Sequence, residues 1–158
     1  MVAIGDKAPD FTAPCSTGEA FHLYDALKSG PVILYFYNKD FTEVCTEQAK
    51  RFRDLKAEIA PFQASVVGVS KDGADSQQAF VKQLTLGFPL ISDPDKKLMK
   101  LFGVRSFLGI VDRVTFVIAQ DGTVKARSKA MLNLDQHVDV SLAALRQMGP
   151  PASPPPAP

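Results

Sequence analysis

Apolar positions along this chain follow two alternating periods. Pro31-Val-Ile-Leu-Tyr-Phe-Tyr37 and Ser65-Val-Val-Gly-Val-Ser70 are short continuous runs rich in β-branched and aromatic residues, the pattern of buried strands. Between them Val44, Gln48, Phe52, Leu55 and Ile59 recur at helical spacing and predict one helix over 43–59. A helix over 74–84, a short strand over 89–92 and a helix over 95–102 follow. Segments 113–120 and 123–128 flank Asp121-Gly122, the strongest hairpin signal in the chain. Leu134, Val138, Leu142 and Leu145 then form one stripe of a closing helix over 134–147. Near the start, residues 11–13 and 20–23 flank a Ser-Thr-Gly turn at 16–18, an opening hairpin.

This order predicts an α/β chain with a mixed central sheet and helices on both faces. A thioredoxin-like fold with an N-terminal β-hairpin extension fits it best. A length of 158 residues with 46% hydrophobic and 22% charged positions suits one soluble domain, expected over 1–148. Residues 149–158, Gly-Pro-Pro-Ala-Ser-Pro-Pro-Pro-Ala-Pro, cannot make a helix or central strand and are expected to be a disordered, polyproline-like tail.

Charge and cysteine content narrow the chemistry. Lys+Arg 18 against Asp+Glu 17 gives +1, which is no nucleic-acid footprint. No apolar run approaches the roughly eighteen residues of a membrane span. The N-terminus lacks the basic head and apolar stretch of a signal peptide, so a cytoplasmic location is expected, with reduced thiols. The two cysteines, Cys15 and Cys45, form no Cys-x-x-Cys pair, and His22 and His137 are far apart in sequence. Neither a metal nor any other cofactor is expected, and there is no Gly-rich phosphate loop.

Cys45 is the principal chemical candidate. Thr42 reads as an N-cap, which places Cys45 in the first turn of the following helix. Free backbone N–H groups and the helix dipole there favour thiolate over thiol. An ordinary cysteine is only about 3% ionised at pH 7, so a lowered pKa raises the reactive fraction. The alternative from residue type alone is a small buried hydrophobe.

Six ordered segments then carry a resemblance: Gly5-Asp-Lys-Ala-Pro-Asp-Phe11, Tyr35-Phe-Tyr-Asn-Lys-Asp-Phe-Thr-Glu-Val-Cys45, Phe52-Arg-Asp54, Val67-Gly-Val-Ser70, Phe88-Pro-Leu-Ile-Ser-Asp93 and Arg113-Val-Thr-Phe-Val-Ile118. Together they resemble the peroxiredoxins, of the bacterioferritin-comigratory or peroxiredoxin Q type. The resemblance implies a thiol-dependent peroxidase acting on hydrogen peroxide and organic hydroperoxides. Cys45 would be the peroxidatic cysteine, becoming a sulfenic acid. Thr42 would hydrogen-bond thiolate and peroxide. Arg113 would stabilise the thiolate and polarise the O–O bond. Arg105 and Arg127 have weaker claims to that role. Gln48, where many relatives carry Glu, would orient the arginine, although an inward helical Gln is also an adequate account.

Two departures from the family pattern matter. Asn38 replaces the usual loop proline, which implies a more solvated pocket and an altered rate, or a hydrogen bond contributed at the site. Lys50 stands where many of these proteins carry a resolving cysteine. Turnover then has two routes: reduction of Cys45 by an external thiol such as glutathione, a glutaredoxin or a thioredoxin, or resolution by Cys15. The external-thiol route is favoured because a disulfide demands specific geometry. A redox-sensing or chaperone-like relative with weak turnover is the competing class, and a Cys-x-x-Cys-type oxidoreductase is disfavoured. The expected assembly is a monomer or homodimer.

Overall fold

The computed structural model describes residues 1–151. The chain runs β1 (Thr12–Pro14), β2 (Ala20–His22), α1 (Leu23–Leu27), β3 (Val32–Phe36), α2 (Glu43–Arg53) and α3 (Lys56–Ile59). It continues β4 (Ser65–Ser70), α4 (Ala74–Leu84), β5 (Leu90–Ser92), α5 (Lys97–Phe102), β6 (Ser106–Phe107), β7 (Ile110–Val111), β8 (Val114–Ile118), β9 (Val124–Lys129) and α6 (Leu134–Met148). The central sheet has the order β5-β4-β3-β8-β9. β3 pairs parallel with β4 and antiparallel with β8, while β1 and β2 form the separate N-terminal hairpin. This is the thioredoxin-like α/β architecture expected from the sequence. Of the expected tail, residues 152–158 lie outside the described residues.

Strand alternation divides the core between the two faces of the sheet. Val32, Leu34 and Phe36 of β3 pack with Phe11, Leu23, Met99 and Phe102 beneath the hairpin, α1 and α5. Ile33 and Tyr35, followed by Tyr37, turn the other way and pack with Cys45, Phe52, Phe80 and Leu145 beneath α2, α4 and α6. On β8 the same alternation sends Val114, Phe116 and Ile118 to the first face and Val117 to the second. Arg113 and Thr115 keep step with Val117, so the residue just ahead of β8 points toward α2.

Four local differences from the sequence expectation have identifiable causes. The helix over 43–59 is broken at Asp54 and Leu55, both with ψ −7, where the Leu55 N–H bonds back to Phe52. Its buried stripe is Cys45, Gln48, Ala49 and Phe52, so Val44 faces partly outward. The helix expected from 95 starts at Lys97, because Lys96 adopts φ 58 and the Asp93 carboxylate accepts from the N–H groups of Leu98 and Met99. The β6–β7 hairpin turns through Leu108 (φ 50) and Gly109 (φ 79). A leucine in the left-handed region carries no turn signal. Helix α1, five residues long, is too short for periodicity to reveal.

Gly68 permits a close approach within the sheet's α2 face. A Cβ there would lie 2.7 Å from Leu90 Cδ2 and 3.0 Å from the Tyr35 ring, which itself stacks on Phe52 at 4.6 Å. Gly68→Ala is expected to destabilise the fold by about 1–3 kcal/mol through this overpacking. Chemical denaturation checks it as a lowered midpoint with an unchanged slope.

Candidate active site

The site is built where β3 ends and α2 begins. Loop 38–42 leaves the buried strand, and α2 starts at Glu43, so Cys45 is the third residue of the helix. Thr42 occupies the N-cap position, as expected. Its hydroxyl does not cap the helix; it turns back to donate to the Lys39 carbonyl at 2.8 Å. Cys45 is only 2% exposed, its side chain facing the sheet within the Tyr35–Phe52 cluster.

Arg113 reaches Cys45 from the other element. It is 4% exposed, and both Nη1 and Nη2 lie 3.4 Å from Cys45 Sγ. Three further bonds fix this fork. Nη1 donates to Gln48 Oε1 at 2.5 Å, Nε donates to the Met131 carbonyl at 3.1 Å, and the backbone N–H donates to Met131 Sδ at 3.3 Å. Gln48 stands one helical turn after Cys45, so a single helix presents both the thiol and the acceptor that aims the guanidinium. Loop 130–132, which supplies Met131, is held in turn by His137, whose Nε2 bonds the Ala130 carbonyl at 2.8 Å and whose Nδ1 bonds Thr115 Oγ1 at 2.8 Å.

Opposing forces act on the Cys45 thiol. Burial pushes its pKa up, but the Lys39 backbone, the Thr42 hydroxyl and the Arg113 guanidinium outweigh it and hold the thiol below its ordinary value. The one Thr42 hydroxyl proton goes to the Lys39 carbonyl, so the hydroxyl must swing to serve the thiolate. The positive charge beside sulfur is permanent, since a guanidinium does not deprotonate in proteins.

A cleft of about 270 Å³ opens onto this sulfur, lined by Asn38, Thr42, Cys45, Ile110, Arg113 and Leu132. Its rim is apolar, with Leu132 79% and Ile110 53% exposed. Asn38 Oδ1 accepts the Val111 N–H at 3.1 Å, a bond that ties the loop to β7 and that a proline cannot make. Another cleft, of about 260 Å³ under Phe52, Ile59 and Phe88, lies toward the opposite ends of the strands. It contains neither cysteine.

The remaining sequence candidates lie elsewhere. Cys15 is buried in the cluster on the other face of the sheet, its sulfur bonded to Thr17 Oγ1 at 3.0 Å and the Glu19 carbonyl at 3.2 Å. Both cysteines are free thiols. Arg127 donates to the Val2 carbonyl, and Arg105 is exposed beside a separate hollow near Met1. Lys50 pairs with Glu47 at 3.6 Å on the outer side of α2. His22 sits between the Asp10 and Asp25 carboxylates, far along the chain from the buried His137. The Met131 clamp and the His137 brace are absent from the sequence reading; the clamp includes a backbone carbonyl, which has no residue signature.

A thioredoxin-like sheet presenting a helix-start cysteine to a buried arginine defines a thiol-dependent redox enzyme rather than a disulfide oxidoreductase, which needs a second thiol close by. The AhpC/TSA family profile matches residues 4–127. Peroxiredoxin Q of Sedum lineare is 35% identical over 149 residues, covering 93% of this chain and 80% of that one. The crystal structure of peroxidoxin BcpB from Mycobacterium tuberculosis superposes with a TM-score of 0.88 at 38% identity, covering 94% of this chain and 99% of its own. Xanthomonas campestris peroxiredoxin Q gives 0.78 at 30% identity, over 87% and 90%. The chain belongs to the AhpC/TSA family, among the peroxiredoxins of the bacterioferritin-comigratory and peroxiredoxin Q type, which are thiol peroxidases. Among the described residues, no helix is long and apolar enough to cross a membrane.

Arg113→Met is expected to slow any reaction of Cys45 with hydrogen peroxide by about 100-fold or more, because among the described residues the fork is the full charge set against the sulfur. Stopped-flow measurement of the second-order rate checks this. Gln48→Ala, which leaves the guanidinium present but unaimed, is expected to cost less.

Proposed function

We propose that Cys45 reduces hydrogen peroxide and small organic hydroperoxides by a one-cysteine cycle. The Cys45 thiolate attacks one peroxide oxygen; the S–O bond forms as the O–O bond breaks, giving Cys45 sulfenic acid and an alkoxide or hydroxide. That leaving oxygen takes up a proton to depart as alcohol or water. Arg113, already placed against the sulfur, binds the peroxide and stabilises the charge moving onto the leaving oxygen. Thr42 orients the peroxide through its hydroxyl. An external thiol then attacks the sulfenic acid, releasing water and leaving a mixed disulfide, and a second thiol restores Cys45 as the disulfide of the reductant departs.

The observation that carries this reading is the guanidinium fork, with both nitrogens 3.4 Å from Sγ and all three guanidinium nitrogens engaged. The apolar rim at Ile110 and Leu132 supports organic hydroperoxides alongside hydrogen peroxide. The position of Cys15 in the cluster on the opposite face supports an external reductant, whether glutathione, a glutaredoxin or a thioredoxin, over resolution within the chain. Two free thiols suit a reducing compartment such as the cytoplasm.

The experiment is peroxide consumption with each thiol donor for the wild type, Cys15→Ser and Cys45→Ser. Cys15→Ser is expected to turn over within about twofold of wild type, and Cys45→Ser to fall to the uncatalysed background. Loss of turnover in Cys15→Ser would assign Cys15 the resolving role. No consumption by the wild type above the Cys45→Ser background would replace the peroxidase reading with that of a redox sensor.

A further inference from the structure

We propose that Asp40 is a positioning residue for the Cys45 reaction, anchoring the middle of loop 38–42 to the start of α4 and so fixing the Lys39 and Thr42 groups that face the sulfur. The inference rests on the reading of Cys45 as the reacting thiol.

Asp40 is 3% exposed although it stands in a loop. A buried carboxylate is costly unless its oxygens are hydrogen-bonded, and here both are. Oδ1 accepts from the Tyr37 hydroxyl at 2.5 Å and Oδ2 from the Ser76 hydroxyl at 2.9 Å. The Asp40 backbone N–H donates to Asp72 Oδ2 at 2.9 Å. That same oxygen accepts from Ser70 Oγ at 2.7 Å, and Ser70 Oγ accepts from Gln77 Nε2 at 3.0 Å. One residue therefore joins the end of β3, the reactive loop, the end of β4 and the first turn of α4. It does so 36 positions from Ser76 in sequence.

The loop groups that lower the Cys45 thiol ionisation, Lys39 and Thr42, flank this anchor. On one side the Lys39 backbone favours the Cys45 thiolate, and the Lys39 carbonyl accepts from the Thr42 hydroxyl. On the other side Phe41 holds φ 64, a backbone state uncommon for a bulky residue, with its ring edge-on to buried Phe80 at 5.1 Å. Strained loop geometry of this kind persists only when the surroundings over-determine it. No atom of Asp40 bonds Cys45, so its effect passes through its neighbours.

The anchor is also sensitive to acid. Burial raises the Asp40 ionisation to about 6, against the lowering bonds from Tyr37 and Ser76, and the Asp72 carboxylate raises it further. The other charged groups nearby are Lys39 within the loop, Asp75 in the first turn of α4 and Lys71, whose ammonium is turned to the Gly109 carbonyl. The anion that accepts both hydroxyl protons is thus present at neutral pH. It is lost as pH falls through about 6, where the neutral acid must itself donate and the two hydroxyl bonds cannot both persist.

The test is the pH profile of two Cys45 reactions in the full chain: with hydrogen peroxide, and with iodoacetamide, which needs a thiolate but no peroxidase function. Wild type is expected to show a step near 6 in the peroxide rate, separate from the thiol ionisation seen with iodoacetamide. Asp40→Asn should remove that step and lower the neutral-pH peroxide rate about 10- to 100-fold. Ser76→Ala and Tyr37→Phe keep the carboxylate but delete one lowering bond each, so both should move the step upward. A wild-type profile in Asp40→Asn overturns the proposal, and so does an unmoved step in both hydroxyl variants should Asp40→Asn fail to fold. If Cys45 reacts with iodoacetamide but not with peroxide in the wild type, the peroxidase reading fails first. The anchor is then judged on the iodoacetamide profile: a change in Asp40→Asn supports it, and no change overturns it.

Discussion

Everything at this site depends on a guanidinium buried against a thiol. Neither group is comfortable alone in an apolar core: an unpaired charge there is strongly disfavoured, and burial raises a thiol's pKa. Placed together they reverse each other's penalty, because the Arg113 charge favours the thiolate and the thiolate offers the charge a partner. Low dielectric strengthens the pairing relative to water. The remaining hydrogen bonds of Arg113 go to groups that cannot ionise, the Gln48 amide oxygen and the Met131 carbonyl and thioether. The sulfur is therefore the one among these partners that can ionise. A glutamate in place of Gln48 would compete for that charge, whereas glutamine aims the fork without neutralising it.

The fold supplies this pairing through two regularities. Strand alternation puts Arg113 on the same face as Thr115 and Val117, toward α2, and helical spacing puts Gln48 one turn behind Cys45. Loops then hold what the regular elements deliver. Asn38 ties loop 38–42 to β7, Asp40 ties it to α4, and His137 ties loop 130–132 to β8. The cleft sits at the end of the sheet where β3 gives way to α2, the usual place for chemistry in α/β folds.

Much of this was legible from the chain. The central strands announced themselves as apolar runs, and Asp121-Gly122 marked the β8–β9 hairpin. The break between α2 and α3 was invisible because the apolar period runs through it, and the β6–β7 turn was hidden by Leu108. At the site, residue type and position singled out Cys45, but its partnership with Arg113, 68 positions away, came from family resemblance and not from any local pattern. Asp40 was not legible at all. A charged residue between Lys39 and Phe41 reads as solvated loop, and only the fold brings Tyr37, Ser76 and Asp72 around it. Cys15 and Cys45 read as a possible pair on composition, whereas the sheet between the two core clusters separates them.

The central claim is that the Arg113 fork, together with the Lys39 backbone and the Thr42 hydroxyl, favours the Cys45 thiolate despite burial. Its most direct test is the pH titration of thiolate absorbance near 240 nm, taken as wild type minus Cys45→Ser and repeated in the Arg113→Met background. The structure predicts a wild-type midpoint below that of an ordinary thiol and an upward move on loss of the guanidinium. A wild-type midpoint at or above that value, or one that Arg113→Met leaves in place, would contradict the account.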